Sequence, residues 1–170
     1  MAKRKREKYA YEVAPDVQAD LEEIVRMLPD EFAHVDTRRV VCYRSRGSTA
    51  RIYARIWSLP GIWQAALGIE AHYVIEVVER YDKSDRAEQE KTIIHELLHI
   101  PKTFSGALVP HNCFGKKINC AREGEVHDKL LRARALAERA RLLARATLST
   151  SQASSSGGLA VQARLPLASD

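Results

Sequence analysis

Apolar residues fall at helical spacing in three stretches of this chain and at strand spacing in two others. From Asp16 to Met27, Val17, Leu21, Ile24 and Val25 line one face of an amphipathic helix that Pro29 ends. Ile93, Ile94, Leu97, Leu98 and Ile100 form a broad apolar face on a second helix. Asp85, with Glu88 three residues on, starts it, and Pro101 stops it. A long Ala, Leu and Arg helix is predicted over Arg122 to Arg145, with Val126, Leu130, Ala133, Ala137, Ala140 and Ala144 along one stripe.

Val40 to Tyr43 reads as a strand, followed by a turn or loop at Arg44 to Thr49. His72 to Val78, rich in β-branched residues, reads as another strand and leads into the second helix through Tyr81-Asp82-Lys83-Ser84. Arg51 to Leu67 fits either a short helix or paired strands, broken at Pro60-Gly61. Such an alternation predicts an α+β fold: a small mixed sheet with an N-terminal backing helix, a second helix across it and a long C-terminal helix. The expected organisation is a basic disordered arm over residues 1 to 9, one domain over 10 to 147, and a disordered Ser, Gly and Ala tail over 148 to 170.

Composition narrows the class. The chain has 170 residues with 45% apolar content, enough for one domain with a sizeable core. No stretch has the apolar length of a membrane span, and the charged start carries no apolar signal core, so a cytoplasmic location is expected. Three cysteines, Cys42, Cys113 and Cys120, suit a reducing compartment better than a disulfide framework.

The candidate chemistry lies on the second helix, where residues 95 to 99 read His-Glu-Leu-Leu-His. Histidines four apart stand one turn apart on one helix face, so His95 and His99 can direct ring nitrogens at a single ion, with Glu96 beside them as general base. A catalytic Zn2+ takes three protein ligands and one water, and lowers the water's pKa to about 7. The third ligand must therefore come from downstream. His111 is the nearest candidate, after a loop from Lys102 to Pro110; Glu123, Glu125 and His127 are the reserves at the start of the last helix.

The metzincin pattern is absent: Lys102 and Ser105 stand at its two key positions, and the only methionines are Met1 and Met27. The Asn-Glu pattern of thermolysin-type enzymes is absent too. A different use of the same residues is a structural zinc site from His111, Cys113, Cys120 and His127, although it lacks the close Cys pair such sites favour. Tyr43, Tyr53, Tyr73 and Tyr81 are candidates to stabilise an oxyanion, without a spacing that selects one.

His95-Glu96-Leu97-Leu98-His99-Ile100-Pro101, then Phe104, Gly106-Ala107-Leu108 and Pro110-His111, resembles the family of phage-type metallopeptidases, small zincins. Upstream, Cys42-Tyr43-Arg44-Ser45-Arg46-Gly47-Ser48 and Leu59-Pro60-Gly61-Ile62-Trp63-Gln64 carry the same resemblance, which spans about residues 14 to 128. More distantly the chain is similar to SprT-like proteases. The resemblance implies a minimal zincin-like domain, a zinc cofactor held by His95, His99 and His111, Glu96 as general base, and a peptide or protein substrate. In that fold a sheet edge beside the metal can pair with an extended peptide, and the strand near His72 to Val78 is the expected edge.

Net charge adds a second functional class. The formal charge is +5, with a basic arm at Lys3-Arg4-Lys5-Arg6-Glu7-Lys8 and arginines 132, 134, 139, 141 and 145 on the last helix. These could bring non-specific nucleic acid close, although no DNA-reading motif is present. The rival to a peptidase is thus a non-catalytic zinc-binding domain with a DNA-associated or protein-interaction role.

Overall fold

A computed structural model describes residues 10–113 and 116–155. A four-stranded sheet is built from β1 (Ala10–Val13), β2 (Val40–Arg46), β3 (Ala54–Ser58) and β4 (Tyr73–Val78), in the order β1-β2-β4-β3. β1 is antiparallel to β2, β2 is parallel to β4, and β3 returns antiparallel on the far side of β4. The helices are α1 (Pro15–Met27), α2 (Pro29–Phe32), α3 (Gly61–Leu67), α4 (Glu79–Asp82), α5 (Arg86–Leu98) and the long α6 (Cys120–Ser155). A two-stranded hairpin, β5 (Asn112–Cys113) with β6 (Lys116–Lys117), precedes α6. The fold is α+β, with the mixed sheet, backing helix and long last helix that the sequence predicts.

The core lies on one side of the sheet. Val40, Cys42, Tyr73, Ile75 and Val77 point to it from the strands; α1 supplies Val17, Leu21 and Ile24, α5 supplies Ile93, Ile94 and Leu97, and α6 supplies Val126 and Leu130. Alternation along the strands sends Tyr11, Tyr43, Val74 and Trp57 to the opposite face. A polar chain ties the three helices together beneath the apolar layer. Asp20 of α1 pairs with Arg86, Arg86 with Glu90 one turn along α5, and the Glu90 carboxylate meets His127 Nε2 of α6 at 2.9 Å. Glu90 and His127 are both buried, so the pairing offsets the cost of removing the carboxylate from water.

Three differences from the sequence expectations have local causes. β2 continues through Arg46, where a loop was expected. Arg44 is held by Asp16 and Asp82, and Arg46 by Glu12 and Asp82, so charged residues are anchored in the strand. The ambiguous stretch resolves as β3 followed by α3, divided where Pro60 caps the helix ahead of Gly61. β4 is not the open edge: it pairs with β2 on one side and β3 on the other, and β3 is the edge strand on that flank. Periodicity places a strand in a sheet but does not encode its neighbours, so the expected edge at His72 to Val78 is an interior strand and the edge on that flank is β3.

α6 begins at Cys120 and continues to Ser155, past the predicted end at Arg145. Residues 148 to 155, expected as the start of a disordered tail, are helical, because no glycine or proline interrupts the chain before Gly157. The expected basic arm and the rest of the tail lie outside the described residues. The chain divides into two compact units at Ala133 and Arg134. In the second, Leu136, Leu142 and Leu143 are exposed and Arg141 lies 3.8 Å from Glu138. No helix of the described residues is long and apolar enough to cross a membrane.

Candidate metal centre

α5 begins where the Asp85 carboxylate accepts the Glu88 backbone N–H at 2.9 Å, a side-chain cap that closes the first turn. Ile93, Ile94 and Leu97 sink into the core, which turns the His95, Glu96 and His99 face outward along the helix flank. Glu96 and His99 are only 6% and 7% exposed, so the face borders the core.

The ring nitrogens converge. His95 Nε2 lies 3.2 Å from His99 Nε2 and 3.2 Å from His111 Nε2, and one nitrogen from each ring falls within 4.8 Å of the others. Two nitrogens bound tetrahedrally to one zinc at about 2.0–2.1 Å stand about 3.3 Å apart, so the spacing fits a shared ion. The opposite ring nitrogens are engaged elsewhere. His95 Nδ1–H donates to Glu123 Oε1 at 2.7 Å, and His99 Nδ1–H donates to the Val109 carbonyl at 2.6 Å. With the protons held there, both Nε2 lone pairs face inward, where they repel one another unless a cation lies between them. Burial lowers the pKa of His99, keeping it in the neutral form that binds metal.

The loop between His99 and His111 is pinned at several points. Val109 N–H donates to His99 O at 2.8 Å. The Tyr73 hydroxyl accepts from Gly106 N–H at 2.8 Å and donates to Ala107 O at 3.1 Å. Phe104, with a positive φ of 47°, is buried edge-on against Tyr73 at 5.0 Å. Gly106 has φ 83°, and a Cβ there would lie 2.0 Å from Gln64 Nε2 and 2.6 Å from Leu59 O, so only glycine fits. Gln64 of α3 bridges to the loop, donating to Leu59 O at 2.8 Å and Ser105 O at 3.1 Å. These bonds carry the chain back over α5 and bring His111 to its two partners.

Glu96 stands next to the edge strand. Burial pushes its carboxyl up to about 7, and Glu123 adds to the rise, while His95 and the Ile56 backbone N–H pull it the other way. A carboxyl poised near neutrality suits a group that must take and then give up a proton. Ile56 donates from the open side of β3. Leu59 N–H bonds to His72 O and Val78 N–H to Tyr53 O, so the odd-numbered residues face β4. Ala54, Ile56 and Ser58 therefore turn their main-chain groups outward.

The other candidates are sorted by their partners. Glu123 is brought to the centre, but its carboxylate meets the outer nitrogen of His95. Glu125 is exposed and paired with Arg122 and Lys129, and His127 is engaged by Glu90. The alternative cluster of His111, Cys113, Cys120 and His127 is not assembled among the described side chains: His111 faces His95, His127 faces Glu90, and Cys120 is exposed. Tyr73 braces the loop, Tyr53 lies under the Arg80 guanidinium at 4.6 Å, and the buried Tyr81 hydroxyl has its pKa raised by burial. His34 bonds Ile100 O at 3.2 Å, and Arg122 bridges Glu31 and Glu125. Sequence reasoning missed Glu123 as a partner of His95, though its place one turn into α6 was visible.

No curated protein and no solved structure matches the chain. A family model does match, over residues 9–145, which take in the sheet, the histidine face of α5 and the loop that returns to it. With most of its length matched, the chain belongs to the family described as Putative phage metallopeptidase.

Proposed function

We propose that this chain is a zinc-dependent metallopeptidase that hydrolyses peptide bonds, with His95, His99 and His111 holding the metal and Glu96 as general base. The observation that carries the reading is the convergence of three imidazole nitrogens, with both outer protons of the α5 pair directed to acceptors away from the centre. An all-nitrogen donor set of this spacing suits zinc, and three protein ligands leave a position open. When bound, the ion supplies a Lewis acid that polarises a carbonyl and lowers the pKa of water.

The chain's own groups do the rest. The Glu96 carboxylate takes the proton of the attacking water and returns it to the departing amide nitrogen. Its burial keeps bulk water from competing, and its raised pKa brings the two transfers closer in energy. The outward-facing main chain of Ala54 and Ser58, with the Ile56 carbonyl, offers hydrogen-bonding groups to an extended peptide, holding the scissile bond beside Glu96, which takes the Ile56 N–H.

Metal analysis of untagged protein tests the ligand set. One equivalent of zinc in wild type, falling sharply in His111→Ala, supports three histidines; zinc retained in that variant removes His111 from the set. Glu96→Gln should keep the metal and lose cleavage of a broad peptide library. A Glu96→Gln protein that cleaves at the wild-type rate defeats the mechanism.

A further inference from the structure

We propose that the outer side of edge strand β3 is a substrate-reading surface, with Trp57 as its anchor, that selects extended segments carrying large apolar side chains at alternate positions; this rests on the peptidase reading above. On β3, Ala54 and Ile56 turn into the core, so Arg55 and Trp57 share the opposite face. Trp57 is 50% exposed, yet its ring is fixed: the indole Nε1–H donates to Glu76 at 2.7 Å. It walls a cleft of about 420 Å³ whose other sides are Tyr11, Tyr43 and Val74. Arg55 brings no free charge to this surface, because its guanidinium pairs with buried Glu76 at 3.3 Å and lies over the Trp57 ring at 5.6 Å.

The open edge determines what such a ring can touch. The main-chain groups of Ala54, Ile56 and Ser58 point outward, and with the Ile56 N–H given to Glu96, an antiparallel peptide would bond to Ala54, Ser58 and the Ile56 carbonyl. The peptide residue opposite Trp57 then falls in a non-hydrogen-bonded pair, the closer of the two kinds, about 4.5 Å between Cα atoms. Its side chain lies along the indole. Peptide side chains two residues away share that face, and those between them point toward the metal.

Beyond Ser58 the chain carries further exposed apolar side chains. α3 buries none of its residues, and Ile62, Trp63 and Leu67 are 75%, 56% and 57% exposed. Gln64 holds this helix against the loop that leads to His111. These exposed apolar residues follow β3 directly in the chain, on a helix tied to the loop that carries His111, which makes them the next apolar side chains available to a peptide running past Ser58. A fixed, half-exposed indole is an anchor that loses little rotamer freedom on binding.

The experiment measures peptide binding by fluorescence anisotropy on metal-loaded Glu96→Gln protein, with two labelled peptides of equal charge. One alternates Leu or Phe with Ser; the other replaces the apolar residues by Thr and Asn. The apolar peptide is expected to bind at least about tenfold tighter, and Trp57→Ala or Trp63→Ser to remove most of that advantage. Trp57→Phe, which keeps the ring without the indole N–H, should retain it. Equal binding of the two peptides, binding of neither, or an advantage that survives both Trp57→Ala and Trp63→Ser overturns the proposal. Cleavage by wild type is scored separately: cleavage without apolar preference sinks this inference alone, and apolar-selective binding without cleavage by metal-loaded wild type sinks the peptidase reading.

Discussion

The outer ring nitrogen of His95 lies 2.7 Å from a carboxylate oxygen of Glu123, so the first turn of α6 orients an imidazole on α5. Such a partner fixes the tautomer and raises the basicity of the nitrogen that faces the metal. Glu123→Ala should therefore weaken zinc binding by about 10- to 100-fold while leaving the fold intact. Glu123→Gln, which keeps an acceptor oxygen, should recover part of the loss. Competition titration with a chromogenic chelator measures both, and wild-type affinity in Glu123→Ala would remove the role.

Gly106 tests how the loop brings His111 to the centre. Its positive φ and the 2.6 Å approach to Leu59 O leave no room for a methyl group. Gly106→Ala is expected to cost about 2 kcal/mol from backbone strain alone, before any displacement of Gln64. It should lower zinc affinity as well, since the loop carries His111. Denaturant unfolding and metal titration read the two effects, and a variant as stable as wild type would contradict the geometry.

Cys42 is buried, and burial, with nearby Glu22, Asp16 and Asp20, pushes its thiol up to about 12. Alkylation at pH 8 should label exposed Cys120 and spare Cys42 until the protein unfolds, as peptide mapping by mass spectrometry would reveal. The linkage has a definite sign. A group whose folded pKa is raised contributes stability below its unfolded pKa of about 8.5, and that contribution falls as pH rises above it. Wild type should lose stability between pH 8.5 and 11 relative to Cys42→Ala, after allowance for the variant's constant packing loss; parallel pH profiles would count against this.

His127→Ala removes one end of the Asp20, Arg86, Glu90 and His127 chain and takes from the buried Glu90 carboxylate its contact with the imidazole of α6. Breaking a buried pair from one side costs about 3 kcal/mol or more, so a large drop in unfolding free energy is expected. Zinc binding to the folded variant should change little, because His127 does not face the three histidines. A large fall in zinc affinity with little loss of stability would return His127 to the metal centre.

Much of this was legible from spacing. The His95, Glu96 and His99 face follows from helical periodicity, and Asp85 and Pro101 mark the ends of α5 because caps and breakers act within a few residues. The bridge from Glu123 to His95 was not legible: it depends on how α6 packs against α5, which no local pattern encodes. The same holds for the sheet edge. His72 to Val78 reads correctly as a strand, but its flanking by β2 and β3 is a long-range pairing. β1 is not legible in the sequence, because its four residues, Ala10 to Val13, are all exposed and carry no burial alternation.

The three histidines and the outer carboxylate all come from residues 95 to 123, a short and nearly continuous stretch of chain. In polymer terms, an ion shared by His99 and His111 is a cross-link across one small loop, and its closure entropy is modest. The sheet and the buried contacts between α1, α5 and α6 do not run through it. Chelation should then raise hydrogen exchange in residues 102 to 111 and leave β2 and β4 protected. A centre closed by so short a loop is expected to empty and refill without refolding of the sheet beside it.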